Sequence, residues 1–101
     1  MSTDPGHIYV IREREFLKTK EHIYKIGKST CVKKRMMSYP KGSQIELIMY
    51  VPNDVHGHER RLLHILRKQC KKREDIGMEY FEVKLKSIKN IIYESFYSSV
   101  T

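Results

Sequence analysis

Ile26-Gly27-Lys28-Ser29 is the stretch that decides the fold, because an apolar run typical of a β-strand ends here in a glycine–lysine step. Arg35 follows eight residues after Gly27, inside a short basic segment. A serine or threonine at the start of that segment can cap a helix. The stretch therefore predicts a strand, a polar exit and a short amphipathic helix.

The apolar pattern on either side predicts the remaining elements. Strands are expected at residues 7–11, 22–27 and 44–51, with a short extra edge strand possible at 79–83. Helices are expected at about residues 30–38, at 55–69 and in a final segment that includes 88–96. The charged residues 12–21 are expected to form a hairpin connection. The sequence thus predicts an α/β fold, a small central antiparallel three-stranded sheet flanked by helices.

The first predicted helix is short, and its faces can be assigned from spacing. Val32, Met36 and Met37 are expected to supply its buried side. Lys33 and Lys34 then face solvent or a ligand.

The composition is that of one ordinary globular domain spanning residues 1–101. The net charge of +8 and the sequence pI near 9.6 indicate a polyanionic partner, nucleic acid before membrane; a lysine-rich surface without a partner is the alternative.

No apolar stretch approaches the roughly 18 residues of a membrane span. Residues 1–5 lack the features of a signal peptide, and the two cysteines form no motif, so we expect an intracellular protein with reduced thiols. The oligomeric state is left open.

Glu59 is expected on the apolar side of the longest helix, beside Leu62 and Leu63. A carboxylate there costs free energy unless a cation pairs with it or a metal binds it. An ion pair with Arg60 or another nearby cation is one alternative, and a metal site is the other. Oxygen ligation favours Mg²⁺ or Mn²⁺ over zinc, and the histidines and cysteines match no zinc-finger spacing.

Arg35 and Lys28 are candidates for phosphate binding. The guanidinium offers a planar fork of donors, and Lys28 can place an ammonium beside the same phosphate. Gly27 lacks a Cβ, so another group can approach its backbone closely. A solvated basic helix start is the alternative explanation for these cations and for Lys33 and Lys34.

Three tyrosines are candidates for activating the attacking water: Tyr9, Tyr24 and Tyr39. Each can instead be a core tyrosine with a satisfied hydroxyl. Because a free phenol has a pKa of about 10, an activating tyrosine needs neighbouring cations to lower it.

These motifs, in this order, resemble the GIY-YIG endonuclease superfamily, and more closely its compact branch found in phages and large DNA viruses. The resemblance covers residues 6 to about 83. The first signature resembles Gly6-His7-Ile8-Tyr9, with one residue inserted after the glycine. The second resembles Tyr24-Lys25-Ile26-Gly27, and a closing element of the compact branch resembles Gly77-Met78-Glu79-Tyr80-Phe81.

The resemblance implies a metal-dependent endonuclease that hydrolyses DNA phosphodiester bonds. Lys28, Arg35 and Tyr39 fall at the spacing seen in the nuclease domain of the bacterial excision-repair endonuclease. Glu59 matches the family's metal-binding glutamate, which implies Mg²⁺ or Mn²⁺ as the cofactor. Together with Tyr9 these residues are expected to converge on one concave, cationic face of the sheet.

One departure from the family pattern concerns the second signature. Lys25 occupies the usual place of the second tyrosine, and Tyr24 lies one residue earlier. Adjacent strand residues point to opposite faces, so Tyr24 reaches the site only if the strand bulges. Otherwise the tyrosine role rests on Tyr9, or Lys25 substitutes for it.

Two other functions stay open from the sequence. The first is a nucleic-acid-binding module on the same fold that does not cut DNA, which the altered second signature favours. The second is a protein-interaction domain whose positive charge is incidental.

Overall fold

The protein is described here by a computed structural model, which covers the backbone of residues 4–100 and the side chains of residues 4–97. Residues 1–3, within the segment judged not to be a signal peptide, and residue 101 lie outside it. The strands are β1 (Gly6–Arg12), β2 (Ile23–Ser29), β3 (Gln44–Val51), β4 (Lys71–Lys72) and β5 (Tyr80–Glu82). The helices are α1 (Arg14–Thr19), α2 (Val32–Met36), α3 (Val55–Gln69) and α4 (Leu85–Val100).

The strands form one antiparallel sheet in the order β3-β1-β2-β5-β4. The predicted three-stranded sheet is the β3-β1-β2 part of it. The predicted edge strand is β5, but β5 pairs with β2 on one side and with β4 on the other, so it is not an edge. The edge beyond it is β4, two exposed lysines, and short charged edges of this kind resist strand addition.

Strand alternation gives the sheet two distinct faces. One face, which we call the helix face, packs against α3 and α4 and holds the main core. Its central side chains are fully buried: Ile8, Val10, Tyr24, Ile26, Leu62, Leu66, Phe81, Ile88 and Ile92. The opposite face carries Tyr9, Gly27 and Lys25, and we call it the tyrosine face.

Residues 12–21 connect the antiparallel neighbours β1 and β2, as the predicted hairpin connection requires, but the segment also contains α1, which was not predicted. The helix buries Phe16, whose ring lies 6.4 Å from that of Tyr80 on the tyrosine face. Lys20 ends the helix in the left-handed conformation, with φ of 62°. Phe16 is the one buried side chain of α1, and a single apolar residue among so many charged ones gives no helical pattern that the sequence could show.

The predicted α2 is present but shorter than expected, and its cap differs. Neither Ser29 nor Thr30 caps it; the N-cap is Cys31, which makes no side-chain capping bond. The hydroxyl of Ser29 instead accepts a hydrogen bond from the Cys31 amide at 3.0 Å, which shapes the turn before the helix. Met37 is 82% exposed and does not belong to a buried side, because α2 ends at Met36.

The α3 helix begins as predicted, after Pro52-Asn53-Asp54. Asp54 is the N-cap, and its carboxylate accepts a hydrogen bond from the Gly57 amide at 3.2 Å. In the part of the chain that the structure describes, no helix has both the length and the apolar character needed to cross a bilayer.

Candidate active site

Tyr9 and Gly27 face each other across β1 and β2, and their contact organises the tyrosine face. The tyrosine ring lies directly on the glycine backbone. A Cβ added to Gly27 would be 2.3 Å from both Cζ and Oη of Tyr9, far inside van der Waals contact. The glycine of the strand exit is therefore required by the ring that covers it, as the sequence argument for a close approach suggested.

Tyr39 meets Tyr9 on this face. The two hydroxyl oxygens are 2.7 Å apart, and the rings are arranged edge to face with centroids 6.1 Å apart. Tyr39 lies just beyond α2, so the short helix returns the chain to the strand end where it began. The sequence grouped these two tyrosines, and the structure brings them together.

Two cations border the phenols. The Lys25 ammonium lies 5.0 Å from the centroid of the Tyr39 ring and 5.8 Å from that of Tyr80. Lys25 and Arg35 both act to lower the pKa of Tyr9, but burial and the hydrogen bond to Tyr39 outweigh them and raise that pKa above its ordinary value. Burial also raises the pKa of Tyr39. The cations expected beside an activating tyrosine are present, yet both phenols stay protonated at neutral pH.

Lys28 and Glu59 form an ion pair on the helix face. The ammonium lies 2.9 Å from Oε1 of the carboxylate, and the glutamate side chain is only 7% exposed, against 31% for the lysine. The register sets Lys28 beside Ile8, which belongs to the core. Of the two alternatives raised for Glu59, the ion pair is present, and its cation is Lys28 instead of the neighbouring Arg60.

The candidate residues thus occupy both faces at one end of the sheet. Tyr9 and Tyr39 lie on the tyrosine face, while Lys28 reaches Glu59 on the helix face. Gly27 and Lys28 are consecutive, with Cα atoms about 3.8 Å apart, so the two groups are separated only by the thickness of the strand end. This is a different arrangement from the single concave face expected from the sequence.

The basic residues of α2 lie at the same end. Lys33, Lys34 and Arg35 are all exposed. A shallow depression of about 320 Å³ runs along the β2–α2 connection, lined by Ser29, Thr30, Cys31, Lys34, Arg35 and Ser38. Its two cations and its hydroxyls suit a phosphate oxygen. A larger cleft of about 720 Å³ lies between α3 and α4, and none of the candidate catalytic residues lines it.

The sequence profile of the T5orf172 domain matches residues 6–95. The chain belongs to the T5orf172 domain family. This is a nuclease-related domain found in phages, and membership suggests a nuclease-like or DNA-binding role. No curated protein and no solved structure matches the chain.

Tyr24 of this T5orf172 domain is the candidate that the structure separates from the others. Its side chain is 2% exposed and belongs to the core on the helix face. The register of β2 is regular from Ile23 to Ser29, so no bulge turns Tyr24 towards Tyr9. As a catalytic candidate Tyr24 is corrected to a core residue, and Lys25 is the side chain of the second signature that lies on the tyrosine face.

A metal in this T5orf172 domain would have few protein ligands. Within residues 4–97, no three His, Cys, Asp or Glu side chains are grouped for metal binding. Glu59 alone fits a hard cation that keeps most of its waters and shares the substrate phosphate, which is how Mg²⁺ is commonly held. Its contact with Lys28 also means that the carboxylate is already neutralised by one cation.

Two further residues on the tyrosine face were not singled out from the sequence. Tyr80 pairs with Lys25 in the register, and burial and a hydrogen bond to Glu13 raise its pKa. His7 lies two residues before Tyr9 and so points to the same face. Period-two alternation along β1 would have indicated His7, whereas Tyr80 required knowledge of the pairing between β2 and β5.

Proposed function

We propose that this T5orf172 domain is a GIY-YIG-type endonuclease that hydrolyses DNA phosphodiester bonds with the help of Mg²⁺ or Mn²⁺. The observation that carries the proposal is the Tyr9 ring seated on Gly27. Its hydroxyl is held by Tyr39, beside the cations Lys25 and Arg35. A core tyrosine needs no such cationic surroundings.

The tyrosines are proposed to orient the attacking water. Because burial raises the pKa of Tyr9, its hydroxyl donates or relays a hydrogen bond and does not act as a phenolate. Arg35 and Lys25 stabilise the negative charge that develops on the phosphoryl oxygens, as cations placed beside a reacting phosphate do. Lys33 and Lys34, exposed on α2, hold the neighbouring DNA backbone.

Glu59 is proposed to hold the metal ion, with Lys28 beside it. A bound Mg²⁺ or Mn²⁺ would supply charge stabilisation at the leaving oxygen. Lys28 holds the carboxylate in position until substrate arrives, since the two groups are 2.9 Å apart and the glutamate side chain is largely shielded from solvent. The ammonium then lies close enough to the strand end to contact a phosphate.

A second candidate function is a DNA-binding module that does not cut. One observation favours it: Glu59, the carboxylate proposed for the metal, is already paired with Lys28. The protonated phenols would then serve only to shape a cationic surface, and the positive charge of the chain would hold phosphates without hydrolysing them.

Nicking of supercoiled plasmid, with Mg²⁺, Mn²⁺ or chelator, tests the two functions. For the nuclease, we expect metal-dependent nicking that Glu59→Gln abolishes while duplex binding is retained or improved. Arg35→Ala should reduce both nicking and affinity, because it serves ground state and transition state alike. Glu94→Gln, an exposed carboxylate on α4, is the matched control and should nick like the wild type.

The outcomes separate the alternatives. Equal nicking by wild type and Glu59→Gln would mean a contaminating nuclease or a wrongly assigned site. Salt-sensitive binding without cleavage, across metals and DNA structures, would establish the non-cutting module.

A further inference from the structure

We propose that the exposed ring of Tyr50, with His7 beside it, is a docking site for an unpaired nucleobase next to the scissile phosphate, so that the preferred substrates are DNAs with unpaired nucleotides. The inference rests on the proposed function for its scissile phosphate. The binding site itself requires only that the chain binds DNA.

Tyr50 is the starting point because it is a large aromatic side chain that the fold leaves open. It is 62% exposed on β3, and its ring centroid lies 5.4 Å from that of His7, at an interplanar angle of 56°. Exposed aromatic rings close to cations are the surfaces on which unpaired bases stack. The contact with His7 limits the freedom of the tyrosine ring, which lowers the entropy lost on stacking.

The position of Tyr50 ties it to the candidate active site. In the register, Tyr50 is paired with His7 and Ile48 with Tyr9. Tyr50 and His7 therefore point to the tyrosine face, about 7 Å along the strand from Tyr9. A base on Tyr50 would belong to a nucleotide close to any phosphate at Tyr9.

Two adjoining depressions indicate how a bound nucleotide would be oriented on this surface. One, of about 290 Å³, is lined by Asp4, Pro5, Gly6, His7, Thr30 and Tyr50. The other is the depression along the β2–α2 connection, which holds Lys34 and Arg35 and shares Thr30 with the first.

The charges of the two depressions differ. The first includes the acidic Asp4 and no lysine or arginine, so it disfavours a phosphate but suits a base, whose amino groups donate hydrogen bonds. The second has two cations and suits the phosphate. The pair of depressions therefore matches one nucleotide, with its base at Tyr50 and its phosphate towards Arg35.

His7 adds a second observation that points to a ligand. Its Nδ1 atom is shielded from solvent and has no hydrogen-bond partner among the described residues. A buried polar atom without a partner costs free energy, so His7 has a hydrogen bond to gain when a polar ligand enters. A base edge offers both donors and acceptors.

An exposed ring used for stacking favours DNA that contains unpaired bases. In an intact duplex each base is paired and covered by its neighbours, so its face is not available to a protein ring. Stacking on Tyr50 requires a base at a flap, a gap, a mismatch or a single-stranded end. The duplex beside it can be held by its phosphates alone.

Fluorescence anisotropy with three labelled DNAs tests the inference: a blunt duplex, a single strand, and a duplex with a single-stranded flap. Tyr50→Ala should weaken binding to the single strand and the flap by about fivefold or more, the range of one lost base–aromatic stack. Its affinity for blunt duplex should change less than twofold. Tyr50→Phe keeps the ring and should bind all three DNAs like the wild type.

Tyr93→Ala is the matched control, because Tyr93 is a similarly exposed tyrosine, 52%, on α4. It should leave all three affinities unchanged. A 2-aminopurine base in the flap gives a direct signal, since stacking on Tyr50 quenches its fluorescence and Tyr50→Ala should restore it.

Loss of affinity by Tyr50→Ala that is equal on all three DNAs, or no loss on any, overturns the inference, whether or not the chain cuts. Flap-selective loss without any plasmid nicking by the wild type would retain the nucleobase site and remove the nuclease. Metal-dependent nicking with no effect of Tyr50→Ala on flap binding would retain the nuclease and remove the nucleobase site.

Discussion

Replacing Gly27 with alanine should displace the Tyr9 ring and separate it from Tyr39. The added Cβ would lie 2.3 Å from Cζ and Oη of the ring, which is about 1 Å inside ordinary contact. Gly27 has no positive φ, so the backbone itself accepts alanine and the entire effect must come from the ring. The substitution is therefore a selective test of how Tyr9 is seated.

The expected cost follows from two effects. Overpacking of a buried ring costs about 1–3 kcal/mol. Loss of the Tyr9–Tyr39 hydrogen bond adds about 0.5–1.5 kcal/mol. A total near 3 kcal/mol, the centre of the summed ranges, corresponds to a melting temperature lower by roughly 12–24 °C for a domain of this size. Plasmid nicking should fall as well, because the hydroxyl is moved from the position that Tyr39 fixes.

A double-mutant cycle on urea unfolding attributes the cost to this contact. In a Tyr9→Leu background the clashing ring atoms are absent, so Gly27→Ala should cost less than about 1 kcal/mol. In a Tyr9→Phe background the ring remains, and most of the cost should remain with it. If Gly27→Ala destabilises the leucine and phenylalanine backgrounds equally, the ring is not seated on Gly27 and the reasoning is refuted.

Three further outcomes are expected. Lys25→Met should lower nicking without unfolding the chain, and Lys25→Tyr should preserve or raise it, since this position lies beside the Tyr39 ring. Tyr24→Phe should leave nicking unchanged within twofold, as measured on plasmid, because Tyr24 packs on the helix face and its hydroxyl lies 3.5 Å from Nδ1 of His22, apart from the tyrosine face. Hydrogen bonds from Arg73 lower the pKa of the Asp75 and Glu82 carboxyls, so their contribution to stability is present above the unfolded pKa of about 4 and is lost as the pH falls below it. Arg73→Met should therefore flatten the decline of the melting temperature between about pH 5 and pH 3.

The parts of the fold that the sequence predicted are those with a clear apolar pattern. Runs rich in β-branched, aromatic and other apolar residues predicted β1, β2 and β3. The leucine and isoleucine stripes predicted α3 and α4, because burial of one helix face forces that spacing. Elements defined mainly by their partners were not predictable in the same way. β4 is two lysines that become a strand only by pairing with β5, and α1 has a single buried side chain, Phe16.

For the candidate site too, the sequence predicted what local patterns show and missed what depends on strand pairing. The sequence grouped Tyr9, Lys28, Arg35, Tyr39 and Glu59, and the contacts of Tyr9 with Tyr39 and of Lys28 with Glu59 are present. Which face each pair occupies depends on strand pairing, which no local pattern reports. Strand alternation alone predicted that Tyr24 and Lys25 point to opposite faces. The regular register of β2 agrees with that prediction.

The glycine–lysine step explains how one short strand end can serve both faces. Gly27 has no side chain to hold Tyr9 away, which lets the phenol pack against β2 and reach Tyr39. Lys28, the next residue, must point the other way, and there it meets the only buried carboxylate among the described residues, Glu59. Exchanging the two residues would put a long cation under the tyrosine ring and leave Glu59 unpaired. The order glycine then lysine is thus fixed by the two contacts together, which is why a four-residue stretch can indicate both the fold and the place of the candidate site.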